Sequence, residues 1–134
     1  MSRVKSSITF HACLCLAAAS FGSSVSQAAG PGEQAFAECA ACHSVDGSPG
    51  VGPTLKGIIG RDSASVPGFA YSNAFKRTHL KWTPDQLDKY VADPQAVVPG
   101  NVMPYAGMSD ATQRAALISY LATVKSEVAC NRLW

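Results

Sequence analysis

Neither sign of charge is in excess in this chain. Eleven Lys+Arg against nine Asp+Glu leave +2 on 134 residues, which excludes a strongly cationic nucleic-acid binder. The length falls short of two ordinary domains, and the 47% apolar content suits one compact domain and excludes a disordered tail. No apolar run is long enough to cross a bilayer as a helix: Ile8–Ala19 is about 12 residues, against the roughly 18–20 needed. No window alternates polar and apolar residues for long enough to make a convincing sheet, so an all-α fold is expected.

The N-terminus has the three-part layout of a secretory signal peptide. Met1–Ser7 carries Arg3 and Lys5 and no acid, the apolar run follows, and small residues lead to Ser26-Gln27-Ala28-Ala29. A mitochondrial transit peptide would be Arg-rich and amphipathic. Cys13 and Cys15 sit in the apolar run without the small-residue pattern of a lipoprotein signal. Residues 1–29 are therefore expected to be removed on export to the periplasm, leaving one domain over 30–134 with a short tail from about 126. Without Arg3 and Lys5 the eleven bases become nine against nine acids, so the mature chain is formally neutral. Five cysteines become three, Cys39, Cys42 and Cys130. Two in one motif and one spare do not make a disulfide framework, and Cys130 leaves a linked dimer as the alternative to a monomer.

Cys39-Ala40-Ala41-Cys42-His43 is a C-x-x-C-H sequence. On a helix Cys39 and Cys42 are i, i+3 neighbours and His43 is i+4 from Cys39, so the three side chains share a face. Two thiols can then add to the vinyl groups of one haem while the imidazole reaches its iron. Phe36 and Ala40 extend that face as an apolar stripe. A thioredoxin-like pair would want a βαβ context, and a zinc site would want a second C-x-x-C or a His pair; neither is present. Covalent haem c is the reading of the motif.

An iron with one His needs a sixth ligand, and His79, Met103 and Met108 are available. A thioether favours ferrous iron and suits an electron carrier. Met103 lies in a Pro/Gly-punctuated loop, Val98-Pro99-Gly100-Asn101-Val102-Met103-Pro104-Tyr105, that can present a side chain without helix geometry. His79 reads as a surface residue and Met108 as core or loop. Around these, Gly32–Cys42 has the period of a first helix. Thr83-Pro84-Asp85-Gln86 reads as a cap opening a second, which Pro94 stops, and a last helix opens at Ser109 or Asp110 with Leu117, Ile118, Leu121 and Val124 on one side. Ser44–Gly60, with its glycines and prolines, reads as loop.

From Cys39 to Tyr120 the chain resembles class I c-type cytochromes, the mitochondrial cytochrome c and bacterial cytochrome c2 group. The matching stretches are Cys39–His43, Gly52-Pro53-Thr54-Leu55-Lys56-Gly57-Ile58-Ile59-Gly60-Arg61, Pro67–Ser72, Trp82, Tyr90 with Pro94, Pro99–Met103, Gly107 and Leu117–Leu121. They fall in order and with family-like spacing over nearly all of the mature chain. The resemblance implies three to five short helices and long loops wrapped round one haem, with His43 as proximal ligand and Met103 as the sixth. It implies that the Pro53 carbonyl accepts the other His43 N–H, that Tyr90 approaches the methionine sulfur, and that Arg61, Tyr71 and Trp82 are partners of a buried haem propionate. Leu55, Phe69, Leu117 and Leu121 pack on the haem or form ordinary core.

The function implied is a single-electron carrier with no substrate chemistry, working between larger redox proteins: a cytochrome bc1-type complex, a terminal oxidase or a periplasmic dehydrogenase. Contact with membrane complexes would be peripheral. A haem enzyme or gas-binding protein with a labile distal site is the rival, as is the cytochrome subunit of a dedicated complex. Two departures stand out. The family's lysine ring is largely missing, with Glu38, Asp93, Gln95, Ala96 and Val102 in its region, so apolar contact round Val97, Val98, Val102, Pro104 and Tyr105 is expected to contribute to docking. Phe75 replaces a polar residue near the inner propionate.

Overall fold

Pro31 occupies the first position of helix α1 (Pro31–Ala40), where its missing N–H costs nothing, and Glu33 in the first turn complements the helix dipole. The computed structural model describes residues 29–125. Residues 1–28 and 126–134, with Cys13, Cys15, Cys130 and nearly all of the leader, lie outside the described residues. Four further helices follow: α2 (Asn73–Arg77), α3 (Pro84–Ala92), α4 (Pro94–Val97) and α5 (Ala111–Thr123). Among the described residues there is no strand, and one antiparallel bridge joins Asp62 to Lys81. The fold is all-α.

The caps explain most boundaries. The Thr83 hydroxyl accepts the Gln86 N–H at 3.2 Å, and the Asp110 carboxylate accepts the N–H groups of Thr112 and Gln113 at 2.7 and 3.1 Å. Two boundaries differ from expectation. The first helix ends at Ala40 rather than Cys42, although Cys42 N–H and His43 N–H both still bond the Cys39 carbonyl. Pro94 ends α3 and also opens α4, because Asp93 caps the new turn through the N–H groups of Gln95 and Ala96. The single turn of α2, capped by the Ser72 hydroxyl, was not anticipated at all.

Helix α1 packs on α5, with the Phe36 and Tyr120 rings 5.6 Å apart, and α3 packs on both α4 and α5. Arg114 fastens α5 to α3 through Asp88 at 2.8 Å and donates to the Met108 and Ser109 carbonyls. Leu117 and Leu121 are buried, while Ile118 and Val124 are only partly so. Ile58, Trp82, Leu87, Tyr90, Leu117 and Leu121 belong to the core and also line one cavity of about 420 Å³. The packed core is thus a wall around a space that apolar side chains face.

Candidate functional site

Cys39, Cys42 and His43 all line this cavity, and both cysteines are free thiols. Burial pushes the Cys39 thiol up from its ordinary range, and the neighbouring Glu38 carboxylate adds to the effect, so the uncharged sulfur is favoured. His43 Nδ1 lies 2.7 Å from the Pro53 carbonyl oxygen. That oxygen can only accept, so Nδ1 carries the proton and Nε2 keeps its lone pair. Backbone bonds hold the loop here: Gly52 N–H donates to the Cys42 carbonyl at 2.8 Å and Leu55 N–H to the Ser44 carbonyl at 2.8 Å. A Cβ at Gly52 would overlap the imidazole ring itself, so only glycine lets the loop come this close. Ala40, expected on the same stripe as Phe36, is exposed instead; α1 turns its buried side to α5, and Ala40 is its last residue.

Met103 enters the same cavity from the loop after α4. Its sulfur receives the Tyr90 O–H at 3.8 Å, and burial pushes the Tyr90 hydroxyl up to about 12, so it remains a donor through the neutral range. The loop is held by side chains. Asn101, one of the described residues most shielded from water, accepts the Met103 N–H at 3.0 Å and donates to the Pro94 and Val98 carbonyls at 2.9 Å each. Gln95 adds a bond to the Asn101 carbonyl at 3.0 Å and accepts the Gly100 N–H at 3.1 Å. Gly107 ends the loop at φ +110°, where a Cβ would overlap the Ala92 carbonyl. Met108 is buried core and His79 is exposed, and neither lines the cavity.

The Asp62–Lys81 bridge sets Arg61 beside Trp82: Trp82 N–H donates to the Arg61 carbonyl at 2.9 Å. Both side chains line the cavity with Tyr71. The Arg61 guanidinium donates to the Thr54 and Lys56 carbonyls at 2.7 and 2.9 Å, and burial pulls it down from its ordinary value. It has no carboxylate partner among the described residues. Tyr71 accepts the Val66 N–H and still has its O–H to give, and the Trp82 indole N–H makes no hydrogen bond among the described residues. Phe75 stands in the middle, with the Tyr71, Tyr90 and Trp82 rings 6.1, 5.9 and 6.4 Å away. Its place in that region is filled by ring packing, not by a donor.

These residues fit a haem. Two free thiols and an imidazole with an open Nε2 follow one another on one wall, a thioether is presented from a separate loop, and the lining is apolar. Among the described residues a half-buried cation without a carboxylate sits beside two unused donors, which is what a propionate removed from water requires. Leu55 and Phe69 line the cavity with Leu117 and Leu121. At the rim, Val102 and Val51 are 78% and 82% exposed, whereas Val98 is fully buried and cannot take part in docking as expected. The holding roles of Asn101 and Gln95 are not foreseen from the sequence, although Asn101 lies in the family-like stretch Pro99–Met103 and Gln95 is one of the departures from the lysine ring.

The family profile described as Cytochrome c matches residues 29–125. The chain is 48% identical over 94 residues to "Cytochrome c-type cyt cy" of Rhodobacter capsulatus, covering 69% of this chain and 47% of that protein, so it spans about half the length of that relative. It is 45% identical over 94 residues to "Cytochrome c2" of Rhodomicrobium vannielii, covering 69% of this chain and 75% of that one. Among solved structures it is similar to cytochrome cH from Methylobacterium extorquens, with a TM-score of 0.67 at 42% identity over 69% of this chain and 95% of that chain.

Proposed function

The chain belongs to the cytochrome c family, holds haem c through Cys39 and Cys42 and carries single electrons, and from that premise we propose that it is a periplasmic shuttle whose iron is held by His43 and Met103. The haem supplies a one-electron iron couple. The observation that carries the ligation is the pair of contacts behind the two ligating atoms, Pro53 O on His43 Nδ1 at 2.7 Å and Tyr90 O–H on the Met103 sulfur at 3.8 Å. The first fixes the tautomer that leaves Nε2 free; the second orients the sulfur and withdraws a little of its electron density. With His43 and Met103 both holding the iron, no site would remain there for substrate, and carrying electrons would be what is left to do. Arg61, Tyr71 and Trp82 take a propionate between them and keep its charge inside the fold.

Export rests on the layout of residues 1–29, and among the described residues no helix is long and apolar enough to cross a membrane. The partners are larger redox proteins, a bc1-type complex on one side and a terminal oxidase or periplasmic dehydrogenase on the other. The rim they meet carries Val51, Val102 and Pro104, all exposed, so apolar contact contributes more to docking than charge. Association rates should therefore fall only gently with salt. The test of ligation is optical: a far-red sulfur-to-iron band in the ferric protein and an unchanged reduced spectrum under carbon monoxide. Rapid carbon monoxide binding would overturn it. The mass of the purified mature chain tests cleavage at Ala28 or Ala29 and shows whether Cys130 carries an adduct.

A further inference from the structure

Glu38 and Tyr105 lie 67 positions apart in the chain, yet the Tyr105 hydroxyl donates to Glu38 Oε2 at 2.9 Å. Glu38 is exposed on the last turn of α1, immediately before Cys39, and Tyr105 is part-buried two residues after Met103; both line the cavity. The bond therefore ties the helix that bears the cysteines to the loop that bears the methionine. Its position in the loop matters. Asn101 and Gln95 hold the stretch before Met103, but from Pro104 to Gly107 this is the only side-chain hydrogen bond among the described residues. Tyr105 N–H also bonds the Met103 carbonyl at 2.9 Å, so displacing the ring displaces the Met103 backbone with it.

We propose that the Glu38–Tyr105 bond is a strap that positions Met103, holding the second half of its loop against α1 and setting how readily an external ligand replaces the thioether on iron. The inference rests on Met103 being the axial ligand. An incoming ligand needs the loop to swing away, and its apparent affinity scales with the fraction of molecules in which the loop is open. A charge-assisted bond between a phenol and a carboxylate is among the stronger single ties available at a surface. Both partners are side chains, so either can be removed without touching the backbone bonds that hold Asn101 or His43.

The experiment titrates the ferric holoprotein with imidazole and follows the far-red band. Tyr105→Phe and Glu38→Ala should each tighten apparent imidazole binding roughly tenfold, the change that about 1.4 kcal/mol produces. The double variant should bind no tighter than either single one, because one bond is lost in all three. Glu38→Gln, which keeps an acceptor oxygen, should fall back toward wild type. Wild-type affinity in the single variants, additive effects in the double, or a shifted denaturation midpoint with unchanged imidazole binding would each overturn the strap. A wild-type protein without the far-red band would overturn the ligation and the strap together; a wild-type band with unaltered variants removes the strap alone.

Discussion

His43 and Met103 face one cavity from regions built by different means. His43 follows directly on α1, and its surroundings are fixed by backbone: Pro53 offers a carbonyl, Gly52 and Leu55 are laced to Cys42 and Ser44, and the loop presses against the ring where no side chain would fit. Met103 hangs in a loop without regular structure, and apart from the Tyr105 N–H on its own carbonyl the bonds that hold it come from the side chains of Asn101, Gln95, Tyr90 and Tyr105. Backbone ties survive most substitutions; side-chain ties are lost one at a time. The histidine region should therefore fail as a whole, with loss of haem or fold, whereas the methionine region should fail by degrees, with the fold kept and the sixth ligand loosened.

The largest effect is expected where the haem is attached. Replacing both Cys39 and Cys42 by serine removes both thioether links, and the residues that wall the cavity, Leu87, Leu117 and Leu121 among them, lose the surface they pack on. The haem-free chain should be largely unfolded, as circular dichroism would report. Native helicity without haem would break the comparison at its base. Next, Gly52→Ala forces a methyl group into the imidazole and should cost about 3 kcal/mol in denaturation of the holoprotein, at the upper end for an overpacked site. A change well under 1 kcal/mol would mean that the loop yields and that the histidine region is no stiffer than the methionine one.

On the other side, Asn101→Ala removes two donated bonds and one accepted bond at a buried position. The freed Met103 N–H and two carbonyls are partly reached by water once the loop relaxes, so the cost should be about 2 kcal/mol. The distinguishing result is spectral: the far-red band weakens while the covalent haem and the helical signal persist. Loss of haem from this variant would erase the distinction between the regions.

The two regions are unequally legible in the sequence, for a physical reason. The C-x-x-C-H run, the cap at Thr83 and the cap at Asp110 are local signals, readable because the interacting groups lie within a few residues of one another. The placement of Arg61 beside Trp82 came from resemblance, and its cause, the bridge from Asp62 to Lys81, is not visible in either segment alone. The turn of α2 is one helical turn with a single weak cap, too short for a period. Pro94 marks only an end in the sequence pattern, whereas in the fold it is an end and a beginning, since Asp93 before it supplies the cap. The sequence places Asn101 in a family-like stretch and Glu38 and Tyr105 in the docking region, but the bonds they make are not legible there because the loop's path creates those contacts. What holds His43 comes from one loop about ten residues on, whereas what holds Met103 ranges from its near neighbour Asn101 to a contact 67 positions away.

The smallest effect tests the finest element of the methionine region. Tyr90 donates to the Met103 sulfur at 3.8 Å, a long and weak bond to a soft acceptor. Its ring is packed edge-on against Trp82 at 5.1 Å and Phe75 at 5.9 Å, so Tyr90→Phe keeps the packing and removes only the hydroxyl. A bond to the sulfur draws off electron density and makes the thioether a poorer donor to ferric iron, which favours the ferrous state. Without it the reduction potential should fall, by less than the 59 mV or so that a tenfold change represents for one electron. Stability and the far-red band should be nearly unchanged. A rise in potential would mean that the hydroxyl acts chiefly by placing the sulfur, and a loss of the band would mean that this one weak bond, not Asn101 or the tie to Glu38, keeps Met103 on the iron.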